Sequence, residues 1–338
     1  MNAMNATPSL GPYLCLRLRR LAWGTLLLGW LALLPSASWA AVKPDALLDA
    51  GRADDLLRLL APRAESNDAA ALNYVCRAYY QLRDWDNALR NCERAAQLEP
   101  GNATFQLWLG RSYGEKANSA GPLSAYALAR KCVAAFATAR SLDRQNLAIA
   151  RDLAEYYSTA PAIVGGGSDK ALALAAELAP EHPADAAWVR ALVASSEGQH
   201  EQAELQFKEA IRLDHDSAST WLDFARYLRG RKSWEHFQQC VEQAVRSARL
   251  RPTDQYDAAE LLLITNRDLP EAARQMRAYI QGGHTEEAAP VFRAHFLLGE
   301  ILLKNGDANQ AAAEYRAALA LASSFRPGSE ALRRLGQR

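Results

Sequence analysis

The chain has almost no surplus of charge. Its 39 Lys and Arg face 38 Asp and Glu, a formal net of +1. A balance this even gives no electrostatic case for nucleic acid or for an anionic membrane surface. Catalytic signatures are missing as well. There is no H-E-x-x-H, no G-x-S-x-G and no Cys-x-x-Cys. The six histidines are scattered along the chain. His284 with Glu286 and Glu287 can be drawn as a metal site, but the stretch reads as a solvated turn before a helix. No enzyme activity, cofactor or metal is expected. Strand signals are sparse too: β-branched runs are few, while Ala, Leu, Arg and Glu abound, which favours an all-α chain. With 49% hydrophobic residues in 338, a sizeable core can be buried.

The amino end stands apart from the fold. Arg17, Arg19 and Arg20 precede the apolar run "LAWGTLLLGWLALL", followed by Pro35 and "SASWA". A basic segment, an apolar run too short for a comfortable span and a small-x-small end read as a secretory signal peptide over 1–40, cut after Ala40. An uncleaved anchor is the alternative. No cysteine stands at the cut, so lipidation there is not expected. Taking the three arginines from the net +1 leaves the remainder near −2. The expected location is periplasmic or secreted, with no membrane span after cleavage.

Internal repetition decides the fold class. In "ALNYVCRAYYQLRDWDNALRNCERAAQLEPGN", Val75 and Cys76 precede Tyr79, Ala88, Cys92, Ala95 and Pro100 at set intervals. The segment resembles a tetratricopeptide repeat, whose pattern is an aromatic, Leu-Gly, Tyr, Ala, aromatic, Ala and Pro. Small residues let two antiparallel helices approach, and large ones fill the gaps. The pattern recurs through Leu109, Gly110, Tyr113, Phe136 and Ala139. It continues through Leu153, Tyr157, Ala171 and Ala175, then Ala203, Phe207 and Ala210, then Phe224, Ala225, Val241 and Ala244. A degenerate unit lies around Ala272 and Met276, and a clear one runs from Leu298 and Gly299 through Ala311, Tyr315 and Ala318. The resemblance implies a right-handed superhelical solenoid of helix pairs over 41–338. Its expected units are 41–67 (partial), 68–102, 103–146, 147–183, 184–217, 218–252, 253–285 and 286–325, with a closing helix at 326–338.

Two units are lengthened, at 114–131 and 158–170, in what reads as the same connection of consecutive units. Such connections emerge on one edge of a solenoid and are expected to lie together. The second holds "YYSTAPAIVGGGSDKALALA". Pro161 stops a helix, the glycines permit unusual backbone angles, and Ser168 is placed to cap the next helix. Lys170 is followed by Ala171 rather than Ser or Thr, and no strand precedes the loop, so a nucleotide loop is not indicated. A plain connector is one reading. A small-anion site built from Gly166, Gly167, Ser168 and Lys170 is the other. The two lengthened connections together are similar to a pattern in a subgroup of secreted bacterial repeat proteins. A weaker similarity is to the periplasmic repeat component of TRAP-type transporters.

In this family the first helix of each unit lines a concave groove. Residues offset from the packing slots face it. Asn73, Arg77, Arg111, Arg151, Glu155, Trp188, Leu222 and Arg226 meet that offset, as do Phe296 and Glu300. Arg77 and Arg111 hold equivalent places in neighbouring units, and Arg151 follows. Guanidinium groups so arranged can clamp a carboxylate or an acidic peptide; a solvated charged face is the alternative. The expected function is a scaffold for a protein or peptide partner in the envelope. A ligand- or anion-binding accessory of a transport system is the second reading.

Beyond the leader four cysteines remain: Cys76, Cys92, Cys132 and Cys240. Cys76 and Cys92 take slots that face one seam between two helices, and export implies an oxidising compartment. Either a disulfide joins them or both are buried thiols acting as small apolar fillers. Cys132 and Cys240 read as free and buried.

Overall fold

The computed structural model describes residues 43–336. The expected signal peptide lies outside the described residues. Seventeen α-helices follow one another, with no strand among the described residues. They are α1 Pro44–Asp49, α2 Ala53–Glu65, α3 Ala69–Gln81, α4 Trp85–Leu98, α5 Ala103–Asn118 and α6 Pro122–Leu142. Next come α7 Leu147–Thr159, α8 Ser168–Leu178, α9 Pro183–Ser196, α10 His200–Leu213, α11 Ala218–Gly230 and α12 Trp234–Arg246. The last are α13 Pro252–Thr265, α14 Leu269–Gln281, α15 Val291–Lys304, α16 Ala308–Leu321 and α17 Arg326–Leu335. Successive helices pack as antiparallel pairs, and the pairs stack into an array like that of tetratricopeptide repeats.

Short polar residues start many of these helices. Asp68, Asp84, Asn102, Asn146, Asp268 and Asp307 each accept the backbone N–H three residues on. That bond satisfies one of the N–H groups a helix start leaves unpaired. Within the pairs the small slots hold the helices close. Ala88, Ala95, Ala171, Ala175, Ala203, Ala210, Ala311 and Ala318 are wholly buried. A Cβ added at Gly110 meets the Phe136 ring at 2.5 Å, and one at Gly299 meets the Tyr315 ring at 2.5 Å. An aromatic on one helix thus fills the space that a glycine leaves on its partner.

The lengthened segment 114–131 is a correction. It forms helix rather than an extended connection: α5 runs on to Asn118, α6 starts at Pro122 and has 21 residues, and only 119–121 join them. Glu115, Lys116, Ala117, Leu123 and their neighbours are good helix formers, and Pro122 suits a helix start. Within segment 158–170, residues 160–167 form a connector with a 3₁₀ turn at Ala162–Val164, and the ends belong to α7 and α8. The two segments meet at Tyr156, whose hydroxyl lies 2.7 Å from the Ala129 carbonyl oxygen and 2.9 Å from that of Val164.

Ser168 is not the cap. Helix α8 starts one residue earlier than expected, with Gly167 at the N-cap at φ 143° and no side-chain cap. Ser168 is therefore already inside the first turn. The glycines are needed for backbone reasons: Gly165 has φ 98°, and a Cβ on Gly166 would lie 1.8 Å from the Ala160 carbonyl oxygen. Ser168→Ala is accordingly expected to change stability by less than about 0.5 kcal/mol. Gly166→Ala is expected to cost about 2 kcal/mol or more through overpacking against backbone. Urea unfolding of the two variants checks both, and a larger loss for Ser168→Ala would contradict the assignment.

The array returns on itself. Ala53 and Leu82, near the start, share a buried cluster with Phe292, Ala318, Ala322 and Phe325, near the end. The Ser323 backbone N–H donates to the Asp54 carboxylate at 2.8 Å. The Gln81 side-chain amide donates to the Leu48 and Glu287 carbonyl oxygens, each at 3.0 Å.

Candidate partner-binding groove

The odd-numbered helices from α3 to α15 lie on the inner side of the array. Direct contacts join α3 to α5, α7 to α9, α11 to α13 and α13 to α15. Ion pairs run across this inner face. Arg111 on α5 meets Asp152 on α7 at 2.6 Å. Arg151 on α7 meets Asp185 on α9 at 2.5 Å and Asp223 on α11 at 2.7 Å. Arg226 meets Asp223 at 2.8 Å and Asp257 on α13 at 2.6 Å. Glu260 on α13 faces Arg293 on α15 at 3.7 Å.

Aromatic rings support the guanidiniums from below. Arg151 lies 4.1 Å above the Trp188 ring and Arg111 lies 4.7 Å above that of Trp108. Such stacking adds attraction beyond the ion pair and fixes the plane of each guanidinium. At the seam Arg77 lies over Tyr74 and Trp108 and makes a two-pronged bond to Glu287, at 2.7 and 2.5 Å. Burial alone would ease the loss of its proton, but the Glu287 hydrogen bond and charge outweigh that and hold it more firmly.

Arg111, Arg151, Glu155 and Arg226 thus come together on the inner face, with Trp188 beneath Arg151. Three expected groove residues offer little or no surface, one of them Trp188 at 7% exposure beneath Arg151 and the other two Leu222 and Asn73. Leu222 is fully buried and Asn73 is 2% exposed. Both point into the packing between helices, because an offset of one residue on a helix turns a side chain by about 100°. The clamp also changes character: Arg77 and Arg111 already hold Glu287 and Asp152. An acidic ligand would exchange one carboxylate for another and gain little. The carboxylates are what the sequence reading missed. Their signal was the recurrence of Asp152, Asp185, Asp223 and Asp257 on successive inner helices.

Glu155 differs from its neighbours. It is exposed, and no hydrogen bond or ion pair engages its carboxylate. Surrounding side chains of the inner face nevertheless take part of its hydration. Burial pushes its pKa up, Asp152 and Asp223 push it further, and Arg226 and Arg151 oppose them. A carboxylate whose pKa is raised on folding weakens the fold as pH rises from the ordinary carboxylate range through the raised value. Glu155→Gln is therefore expected to raise the melting temperature at pH 7. That gain should close as the pH falls through the carboxylate range. Thermal melts at several pH values read it, and a destabilised Gln variant at pH 7 would contradict the assignment.

The glycine connector offers few donors to an anion. The N–H groups of Gly165, Gly166 and Gly167 donate to the carbonyl oxygens of Ala162, Pro161 and Tyr157. Lys170 donates to the Gly165 carbonyl oxygen at 2.8 Å. The anion reading needs those groups free.

Cys76 and Cys92 are joined by a disulfide with Cα atoms 5.3 Å apart, and Cys132 and Cys240 are free and buried. Burial pushes both free thiols up to about 12. They stay protonated and unreactive at neutral pH.

Residues 292–325, which span most of α15 and α16, match the family model for the tetratricopeptide repeat. Over that stretch the chain is similar to a tetratricopeptide repeat. Gly299 and Tyr315, the close-packed couple of that repeat, lie inside the matched stretch. No curated protein matches the sequence. Similar solved structures include a tetratricopeptide repeat protein from Parabacteroides merdae, at 16% identity over 85% of this chain and 99% of that one, with a TM-score of 0.39. Yeast Tom70 is 15% identical over 84% of this chain and 58% of its own, with a TM-score of 0.48. PilW, a type IV pilus biogenesis factor, is 16% identical over 79% of this chain and 97% of its own, with a TM-score of 0.36. Among the described residues no helix is long and apolar enough to cross a membrane.

Proposed function

We propose that the chain is a tetratricopeptide-repeat scaffold of the cell envelope that holds a protein partner in its concave groove. The groove carries the reading. Inner helices from successive pairs present accessible charged side chains on a rigid face, among them Arg226 at 40% and Asp257 at 37% side-chain exposure. Binding groups held by packed helices lose little freedom on association. The Cys76–Cys92 bridge supports a location outside the cytoplasm, since such bonds persist in oxidising compartments. The basic and apolar leader over 1–40 supports the same location.

The test is capture from an envelope extract by the wild-type chain and by Glu155→Trp. The indole fills the groove without touching the outer faces. A partner that the wild type retains and the Trp variant loses supports the groove. Equal capture by a correctly folded Trp variant places binding elsewhere and overturns it. A mature amino terminus at Ala41 in the periplasmic fraction supports the location, and an intact leader in the cytosol overturns it.

A further inference from the structure

The inner face is more acidic than its arginines imply. Linked around Glu155 are Arg111, Arg151 and Arg226 against Asp152, Asp185, Asp223, Asp257 and Glu155 itself. Each arginine is spent on one or two aspartates. Asp185, Arg151, Asp223, Arg226 and Asp257 form one continuous chain of alternating sign that begins and ends on a carboxylate. Glu155, which nothing engages, stands beside this chain and feels Asp152 and Asp223 as neighbours of like sign. These groups carry two more negative than positive charges, and among them Glu155 alone has no ionic partner; the exposed Arg83, which also makes no ion pair, lies nearer Glu260, Glu115 and Arg293 than Glu155.

We infer that the partner segment held in this groove is basic, and that one of its Lys or Arg side chains seats on Glu155. The inference rests on the groove reading above and names the chemistry of its occupant. An arriving cation pairs with Glu155 and balances the surplus that Asp152, Asp223 and Asp257 leave. The inner face takes part of the hydration of Glu155, so the attraction is stronger than between fully solvated charges. The acidic occupant suggested by counting arginines meets the opposite field. It would have to displace Asp152 or Asp223 from guanidiniums those groups already hold at 2.6 to 2.8 Å. Glu155 also bears a cost in the empty protein, because burial and like charges disfavour its ionised form. A cationic side chain removes that cost on binding, so part of the binding energy comes from relief of the free protein.

Two end-capped peptides test this, one of alternating Lys and Ala and one of alternating Glu and Ala, titrated into the full chain by fluorescence anisotropy. The Lys peptide is expected to bind, and more weakly as salt is raised. Glu155→Gln keeps the shape and removes the charge, and it is expected to weaken Lys-peptide binding roughly tenfold. Tighter binding of the Glu peptide, or a Glu155→Gln variant that binds the Lys peptide as the wild type does, overturns the inference. So does spermidine binding as tightly as the Lys peptide, since the occupant would then be a small polyamine. The failures of the two readings separate cleanly. If Glu155→Trp abolishes partner capture while Glu155→Gln leaves it intact, the groove stands and the basic occupant falls. If neither variant alters capture, the groove falls and the inference falls with it.

Discussion

Replacing Cys76 and Cys92 together with alanine is expected to cost about 3 kcal/mol, the entropy that a closed loop of this size removes from the unfolded chain. The bridge spans 16 residues and joins the two helices of one pair, α3 and α4. Its surroundings leave no slack. Both cysteines are wholly buried beside Ala88 and Trp108, and the Ser112 hydroxyl on α5 lies 3.5 Å from the Cys76 sulfur and 3.7 Å from that of Cys92. A disulfide sulfur carries no hydrogen, so Ser112 is the donor. The double variant therefore also strands a wholly buried hydroxyl, which adds to the loss. In an array where each pair leans on its neighbours, the loss should appear first in α3, α4 and α5. Denaturant unfolding gives the size and hydrogen exchange gives the place. A loss below about 1 kcal/mol, or recovery of both cysteines as alkylated thiols from exported protein, would contradict a bridge that bears on stability.

Much of this was legible because helix pairs pack by size. Ala88, Ala95, Ala203, Ala210, Gly299 and Ala311 stand where two helix backbones approach, and only small residues fit there. That constraint recurs with the period of the pair, so it can be read along the chain. Cys76 and Cys92 fell on facing slots for the same reason, although slots alone do not set the direction of a Cβ. Other features followed from neighbours that lie far off in sequence. Arg111 and Arg151 were visible as groove residues, but Asp152, Asp185 and Asp223 reach them from other helices. A residue count on one helix shows cations, and the assembled face is an ion-pair chain with acid in excess. Local punctuation also misled. Ser168 looks like a cap, but Gly167 at φ 143° begins the helix one residue sooner. Segment 114–131 looked like a long connection because its length was measured against the repeat, whereas its residues favour helix.

Closure of the array had no local signal at all, since Arg77 and Glu287 lie 210 residues apart in the chain. Arg77→Met is expected to cost about 3 kcal/mol, because it leaves the Glu287 carboxylate unpaired in a largely dry seam. The two side chains are 14% and 20% exposed. Met keeps most of the apolar stem but removes the guanidinium that lies over Trp108 and Tyr74, so the loss combines the ion pair with the contact to the rings. The seam has other fasteners. Gln81 holds the Leu48 and Glu287 carbonyl oxygens, and Phe292 and Phe325 pack against Ala53 and Leu82. The variant should therefore stay folded and open more readily at the seam. Faster hydrogen exchange is expected in α1, α2 and residues 282–290, with little change in α9 to α12. The partner variant separates pairing from simple damage. In Arg77→Met with Glu287→Gln no charge is left unpaired, so most of the loss should be recovered. A single variant within about 0.5 kcal/mol of wild type, or a double variant no better than the single, would show that the seam does not depend on this pair.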